Sequence, residues 1–389
     1  MTHGVEATIA RATGGSEPVP NPYAEIQITT LHATHGMNFW SARPVTRIDL
    51  RVGAYDDISS AELPGFVDRL VHVLPGLEEH ECSIGQRGGF VLRLRRGTYV
   101  PHIVEHVALE LQGMIGHDVG YGRTRGGDKI GDYTLIFEHR HESVGLRSAA
   151  LALEIVQNAF AGKLESVDHA VAELRALDAT SHVPTLIQHV LCGITGGSHR
   201  AETRDEMVRL GFGGRELIVD VSPSYIVQAG LPYSHSDIAI ILDSDLNDVP
   251  EYYKVRRRAE RLVSVVADVV PEGGIVIAPA KSWEIQDLAR DAGCRVAIFA
   301  TDNDVTSKDK KVARAAAMVD GRRIIIEEFD KSFDAGWIHD KAPIDAQVAA
   351  TLAAFTLNEL GSGSESSSEE LGGTDRVIGR ARDRAGVAD

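Results

Sequence analysis

Between Cys192 and about residue 300, short apolar segments alternate with amphipathic ones, and this alternation constrains the fold most strongly. The apolar segments read RELIVDVS, DIAIILDS, GGIVIAPA and CRVAIFA. The amphipathic segments between them include RRRAERLVSVVADVV and WEIQDLARDAG. Strands that alternate with helices in this way are typical of a parallel sheet covered by helices. Residues 192–360 are therefore predicted to form an α/β domain.

The preceding part of the chain, residues 25–165, has a different pattern. Its predicted strands are AEIQITTLHA, VTRIDLRVGAY, GGFVLRLRRG and DYTLIFEHR, and its predicted helices include ISSAELPGFVDRLVHVLPGL and SVGLRSAALALEIVQNAF. This mixture predicts an α+β domain, which a helical connector over residues 166–191 joins to the α/β domain. Residues 1–24 are predicted to be a flexible N-terminus, and the low-complexity residues 361–389 a disordered tail.

Composition restricts the possible partners and the compartment. The formal net charge of −16 over 389 residues does not favour binding to nucleic acid. No stretch reaches the roughly 18 apolar residues of a membrane span, and the N-terminus has no signal-peptide pattern. The three cysteines are far apart in the sequence and form no CxxC pair, which is typical of reduced thiols. We therefore expect a cytoplasmic protein without a nucleic-acid or membrane partner.

One predicted helix, GTYVPHIVEHVALELQG at residues 97–113, carries an unusual set of polar residues. At about 100° per residue, His102, Glu105 and His106 fall on one narrow arc of this helix. Histidines four residues apart can both bind one zinc ion, and the neighbouring carboxylate can take a proton from a water molecule that the metal activates. The spacing HxxEH is the inverted zinc-hydrolase pattern, so these residues are a candidate metal and catalytic site.

A third metal ligand has to come from outside the helix. The candidates are Glu138, which we prefer, and His80 and His139. Glu110 lies about 12 Å along the helix axis from His102, so we expect it to orient His106 rather than to bind the same ion. The alternative interpretation is that both histidines are polar groups satisfied by hydrogen bonds, without a metal.

The segments around this helix closely resemble the N-terminal domain of cyanophycin synthetase, which makes a polymer with a poly-aspartate backbone and an arginine on each side-chain carboxyl. The resemblance covers roughly residues 30–165 and is carried by GMNFWSAR, LPGFVDRLVHVLPGLEEHECSIGQRGGFVLRLRRGT, HIVEHVALELQ and GHDVGYGRTRG. In some family members this domain is a metal-dependent hydrolase that cuts the polymer internally. The resemblance therefore implies zinc or another divalent metal on His102 and His106, with Glu105 as the general base.

The second half of the chain resembles the central domain of a Mur ligase, but its phosphate loop is altered. GITGGSHRAET stands where the family has GITGTNGKTT. Gly193 and Gly196 are retained, whereas His199 and Arg200 replace the glycine and lysine that approach the phosphates, and Ala201 cannot hold magnesium. The short connector leaves no room for the ATP-grasp domain of the synthetase. We therefore expect neither ATP as a cofactor nor ligase activity.

Arginines in glycine-rich segments flank the HxxEH helix in sequence. Arg87 lies in SIGQRGG, and Arg123 and Arg125 lie in GYGRTRGG. They could bind the carboxylates of an acidic polymer, although structural salt bridges are an equally ordinary role. Our first hypothesis is a homo-oligomeric hydrolase of cyanophycin or a related Asp/Arg polymer, in which the Mur-like half serves assembly or polymer binding. The second is a non-catalytic protein that binds the polymer or pairs with cyanophycin synthetase.

Overall fold

The chain folds into two compact units. The computed structural model describes residues 20–127, 129–183, 185–214, 217–303 and 305–363. Unit 1 consists of Met1–His35 and Arg43–Thr185, and unit 2 consists of Gly36–Ala42 and Leu186–Asp389. Unit 1 has an antiparallel sheet with helices, and unit 2 has a mainly parallel sheet with helices. The predicted fold class, an α+β part followed by a parallel-sheet α/β part, is confirmed.

Unit 1 is built on four antiparallel strands in the order β1-β2-β4-β3. The strands are β1 (Gln27–Ala33), β2 (Val45–Arg51), β3 (Gly122–Gly126) and β4 (Asp132–Glu138). The helices are α1 (Pro22–Glu25), α2 (Phe66–Val73), α3 (Gly89–Arg96), α4 (Val100–Gly113), α5 (Glu142–Phe160) and α6 (Asp168–Asp178). Short 3₁₀ turns span Gly53–Tyr55, Ser60–Glu62, Pro75–Glu78 and Cys82–Ile84. One apolar core joins these helices to the sheet.

Helix α4 runs through the middle of this core. Pro101 occupies its first turn, where the missing N–H removes no helical hydrogen bond. Twelve of its fourteen residues are buried, the exceptions being His102 and Gly113. A helix that is buried on nearly all sides carries its polar residues into the protein interior, where each needs a partner. The polar residues of α4 are therefore not a solvated face.

Several predicted elements of unit 1 differ from the structure. The segment GGFVLRLRRG forms helix α3 rather than a strand, with Phe90 and Leu94 buried on one face. Its basic residues lie in the last helical turn, where cations interact favourably with the helix dipole. Within its described residues, the predicted helical connector is helical only along α6, and residues 179–183 and 185–189 contain no helix.

The predicted flexible N-terminus and disordered tail lie largely outside the described residues. Residues 1–19 and 364–389 are not described. Of the remaining residues of those two segments, 22–24 lie in helix α1 and 361–363 belong to the last helix of unit 2.

Unit 2 contains an eight-stranded sheet in the order β12-β11-β10-β9-β8-β7-β5-β6. The strands are β5 (Val190–Thr195), β6 (Ile218–Asp220), β7 (Ser236–Ile241), β8 (Ile275–Pro279), β9 (Arg295–Phe299), β10 (Ala316–Asp320), β11 (Arg323–Glu328) and β12 (Lys331–Trp337). Strands β5 to β10 pair in parallel, and β10, β11 and β12 pair antiparallel. The sequence analysis identified segments for four of these strands, β6, β7, β8 and β9, and did not identify the antiparallel strands β11 and β12.

Helices cover both faces of this second sheet. They are α7 (Arg200–Arg209), α8 (Pro223–Ala229), α9 (Glu251–Lys254), α10 (Arg256–Val263), α11 (Trp283–Asp291), α12 (Ser307–Val312) and α13 (Ile344–Gly363). Successive residues of β7 belong to different cores, with Ile238 and Ile240 in one and Ala239 and Ile241 in the other. A strand that is apolar on both sides reads as a continuous hydrophobic run, as the sequence pattern indicated. Within the described ranges, no helix has the length and apolar character needed to cross a membrane.

Candidate metal centre

Helix α4 brings two imidazoles together one turn apart. The ring centroids of His102 and His106 are separated by 4.8 Å. The ring of His106 stacks on Phe90 of α3, with centroids 3.8 Å apart and planes 16° apart. Burial lowers the pKa of His102 to about 4 and the pKa of His106 well below its usual value, and the Arg93 charge adds to both effects. Both rings are therefore neutral near pH 7, the form that binds metals.

A cysteine completes the group of potential ligands. Sγ of Cys82 lies 3.2 Å from Nε2 of His102. The three ligand atoms, one each from Cys82, His102 and His106, all lie within 4.8 Å of one another. Cysteine and histidine are the ligands that zinc prefers, so these residues fit a divalent metal ion. The sequence analysis treated Cys82 only as a reduced thiol, since no local spacing connects it with His102.

His80 and Glu110 extend this group on the side of His106. Nδ1 of His80 is 2.8 Å from Nδ1 of His106, and Nε2 of His80 is 3.3 Å from Oε2 of Glu110. We expected Glu110 to orient His106; its carboxylate pairs with His80, which in turn contacts His106. Gly76 makes room for this arrangement, since a Cβ there would lie 2.2 Å from Oε1 of Glu110.

Glu138 and His139, the other candidates for a third ligand, have different neighbours. Oε2 of Glu138 lies 3.8 Å from a guanidinium nitrogen of Arg43. Nδ1 of His139 lies 3.0 Å from the Thr46 hydroxyl. Among the described residues, neither belongs to the group that converges with His102. Cys82 thus lies where Glu138 was expected to supply the third ligand, and His80 contacts His106.

Glu105 is buried beside the two α4 histidines. Its Oε2 accepts a hydrogen bond from Oγ1 of Thr124 on β3 and lies 3.8 Å from Nδ1 of His102. Burial raises the pKa of Glu105 to about 7, against the opposing effects of the Thr124 hydrogen bond and the Arg93 charge. Gly122 leaves space for the carboxylate, because a Cβ there would lie 2.7 Å from Oε1. A carboxyl group with a pKa near neutrality can both accept and donate a proton.

Two of the three predicted substrate-binding arginines face away from Glu105. Arg123 and Arg125 flank Thr124 on β3, and successive residues of a strand point to opposite faces of the sheet. Because Thr124 faces Glu105, these two arginines face away from it. Arg87 is exposed and pairs with Glu79.

The sequence analysis did not single out Arg93, but its charge acts on three groups of this centre. Its charge lowers the pKa of His102, Glu105 and His106. Its guanidinium donates a hydrogen bond of 2.7 Å to the hydroxyl of Ser83, the residue after Cys82. Arg93 is exposed and can therefore contact a solute that approaches the centre.

In unit 2, a carboxylate of the chain itself occupies the altered phosphate loop. The backbone N–H groups of Gly197 and Ser198 donate to Asp243 at 2.7 and 3.2 Å, and the Ser198 hydroxyl donates at 2.8 Å. These are the kinds of donors that a phosphate loop offers to phosphate. Arg200 donates to the carbonyl of Gly196 in the same loop.

Two other positions of this loop have structural roles. Gly193 lies against the ring of Tyr233, where a Cβ would meet the hydroxyl at 1.9 Å. His199 adopts φ +52° at the start of α7, and its Nδ1 lies 2.8 Å from Oδ2 of Asp345. Gly193 and His199 are thus held by packing and by an ion pair within unit 2.

Part of unit 1 matches a known family model. Residues 47–161 match the family model of the cyanophycin synthase-like N-terminal domain. This range contains α3, α4, β3 and β4, and with them every residue of the candidate metal centre. The match to this family model therefore lies within unit 1.

The chain as a whole is similar to cyanophycin synthetases. It is 30% identical to the enzyme of Trichormus variabilis, over 86% of this chain and 42% of that one. It is 28% identical to the enzyme of Geminocystis herdmanii, over 89% of this chain and 39% of that one. The chain thus spans about two fifths of the length of these relatives. The resemblance to cyanophycin synthetases that the sequence indicated is confirmed.

Mur-type ligases are among the similar solved structures. A murein peptide ligase from Psychrobacter arcticus has a TM-score of 0.30 at 9% identity, covering 43% of this chain and 44% of that one. A MurF ligase from Thermotoga maritima has a TM-score of 0.30 at 13% identity, covering 51% and 50%. These scores are low, and the α/β character of unit 2 rests on its own sheet topology.

Proposed function

We propose that unit 1 is a metal-dependent hydrolase that cleaves cyanophycin or a related polymer of aspartate and arginine. The observation that carries this proposal is the convergence of Cys82, His102 and His106 beside a buried carboxylate, Glu105. The HxxEH spacing supports hydrolysis, and the similarity to cyanophycin synthetases supports the polymer as substrate.

In this mechanism Cys82, His102 and His106 hold the metal, and Glu105 moves the proton. When bound there, zinc supplies Lewis acidity and lowers the pKa of water towards 7. Glu105, oriented by Thr124, takes the proton of the attacking water and delivers it to the leaving nitrogen of the amide. Its burial favours this role, because a raised pKa lets the same group act as base and then as acid near pH 7.

The surface beside the centre is suited to a polymer that carries both charges. Glu78, Glu79 and Glu81 are exposed in the same segment as His80 and Cys82, and such carboxylates can bind the guanidinium groups of the polymer. Exposed Arg93 can bind a carboxylate of its backbone end. Exposed acidic and basic groups are thus both present in segments that carry or contact the candidate ligands.

The proposal gives unit 2 a role in assembly as a homo-oligomer or in polymer binding, not in ATP-dependent ligation. Asp243 supports this, since it already accepts the hydrogen bonds that the altered loop could offer a nucleotide. The same observation favours the second candidate function, a non-catalytic protein that binds the polymer or pairs with cyanophycin synthetase.

The test is an incubation of purified, metal-analysed protein with insoluble cyanophycin, with and without a chelator. Turbidity and product masses are followed for the wild type, Glu105→Gln and the exposed control Glu165→Gln. We expect clearing that a chelator stops and that Glu105→Gln slows by about 10²–10⁴-fold, with unchanged metal content. A Glu105→Gln protein that clears the polymer at the normal rate would refute the mechanism. Polymer that is bound but never cleaved by the wild type would favour the non-catalytic function.

A further inference from the structure

A second group of potential metal ligands lies elsewhere in unit 1. It consists of three ligand atoms, one each from His117, His141 and Asp178, which all lie within 4.8 Å of one another. His117 follows α4, His141 is the N-cap of α5, and Asp178 is the last residue of α6. None of the three belongs to the HxxEH helix or to the Cys82 group. The inference below therefore does not depend on the proposed hydrolase function.

The nitrogen–oxygen distances within this group are close to those between neighbouring ligand atoms of a metal site. Nε2 of His117 lies 2.8 Å from Oδ1 of Asp178, and Nε2 of His141 lies 3.7 Å from the same oxygen. The two rings are nearly parallel, with planes 27° apart and centroids 5.5 Å apart. In a tetrahedral zinc site with bonds of about 2.0–2.2 Å, neighbouring ligand atoms are about 3.3–3.5 Å apart. Shifts of about half an ångström would bring both observed distances to that value.

Hydrogen bonding within the group does not account for two buried imidazoles. The 2.8 Å contact of His117 with Asp178 is a hydrogen bond, whereas the 3.7 Å separation of His141 from it is too long for one. Nδ1 of His117 and Nδ1 of His141 are both buried and have no hydrogen-bond partner among the described residues. An ion held by the two Nε2 atoms and Asp178 would leave these Nδ1 atoms as the nitrogens that carry the ring protons, pointing away from the ion.

We propose that His117, His141 and Asp178 bind a divalent metal ion, with zinc the best match to two imidazoles and one carboxylate. Both histidines are buried, and the Asp178 side chain is 31% exposed, which gives the ion and a water ligand access from solvent. The ion joins the segment after α4, the start of α5 and the end of α6. Its role is structural, because it ties the helix of the connector to the two long helices of the core.

The test uses the full chain carrying Cys82→Ser and His102→Gln, which remove two of the three ligands of the proposed catalytic centre. Zinc per chain is measured after dialysis, and the thermal midpoint is measured with and without zinc. We expect about one zinc per chain and a midpoint higher by about 5 °C at a hundredfold excess of zinc over Kd. Adding either Asp178→Asn or His141→Gln should abolish both effects.

Two controls keep the result interpretable. Asp178→Asn preserves size and an oxygen that can accept the His117 N–H, so a folding defect is not expected. His189→Gln removes a histidine that makes the same 2.8 Å contact with an aspartate, Asp237, on the exposed surface of unit 2, and it should leave zinc binding intact.

Cobalt replacement separates the two proposed sites. Cobalt bound at the second site should show ligand-field bands without a thiolate charge-transfer band, because no cysteine is present there. A double variant that retains no zinc, or one whose zinc binding is unchanged by Asp178→Asn and by His141→Gln, would overturn the proposal. Either result leaves the cleavage assay of the proposed hydrolase unaffected.

Discussion

Sγ of Cys82 lies 3.2 Å from Nε2 of His102, and this contact joins a 3₁₀ turn to the buried helix α4. A thiolate at this point gives the two α4 histidines the third ligand that a zinc site requires. The segment before Cys82 is exposed, whereas α4 is buried. The contact therefore links an exposed segment of unit 1 to its buried core.

The first prediction concerns this thiol. Cys82→Ser should weaken zinc binding by more than about 100-fold, because residues that only orient a ligand already contribute about 10–100-fold. Competition with a chromogenic chelator measures the affinity. Cys294→Ser, a buried cysteine of unit 2, is the matched control and should have no effect. Equal zinc affinity in the two variants would exclude Cys82 as a ligand.

The second prediction concerns Arg93. Arg93→Ala should lower kcat/KM for polymer cleavage by about 10-fold, since a hydrogen bond to a charged group is worth about 1.5–3 kcal/mol. Arg95→Ala is the control, because Arg95 is also exposed on α3 but pairs with Asp68 at 2.8 Å. Arg123→Ala should also have little effect, as Arg123 faces away from Glu105. Similar losses in all three variants would argue against a specific role for Arg93.

The third prediction concerns the altered phosphate loop. Mg-ATP should cause no thermal shift in the wild type, since Asp243 accepts the hydrogen bonds of Gly197 and Ser198. Asp243→Ala should lower the free energy of unfolding by about 1–3 kcal/mol, because it leaves these donors without their charged acceptor. Differential scanning fluorimetry and chemical denaturation measure the two effects. A wild-type protein stabilised by Mg-ATP would show that the carboxylate does not prevent nucleotide binding.

The fourth prediction concerns pH. The hydrogen bond to Asp345 raises the pKa of His199 above its usual 6.5. The folded state therefore binds this proton more tightly than the unfolded state, so the contribution to stability is fully present below about pH 6.5 and is lost as pH rises through the folded pKa. His199→Gln should destabilise the protein more at about pH 6 than at about pH 8.5, by less than about 1 kcal/mol since the pair is partly exposed.

Denaturation at the two pH values measures this difference, and an NMR titration of His199 gives its pKa directly. His189→Gln provides a comparison at an exposed histidine–aspartate pair of the same unit. A His199→Gln effect that is equal at both pH values would contradict the assignment.

The elements that sequence reasoning identified are those in which periodicity and burial agree. Helix α4 and strand β7 are buried on nearly all sides, and most of their residues are apolar, as such burial requires. FVLRLRR in α3 was misassigned because its alternation of apolar and basic residues suits a strand, while Phe90 and Leu94 equally form one face of a helix. Strand β12 is exposed along nearly its whole length, so its residues carry no hydrophobic alternation.

For the site, spacing along one helix was sufficient to identify His102, Glu105 and His106. Spacing could not identify Cys82, which meets His102 across 20 residues of sequence. Nor could it identify the contact of His117 with Asp178 across 61 residues. Such contacts depend on how helices and loops pack, and no local pattern records them.

Residues Gly36–Ala42 belong to unit 2 although the strands on either side of them, β1 and β2, belong to unit 1. The chain therefore crosses between the units three times. Within unit 2, the ring of Phe39 packs 5.1 Å from Tyr253, and Trp40 stacks 5.7 Å from Tyr252. A single break after α6, whether by protease or by gene rearrangement, would leave this aromatic cluster incomplete in the C-terminal product. A cut at one point of the chain therefore cannot separate unit 1 from unit 2 with both units whole.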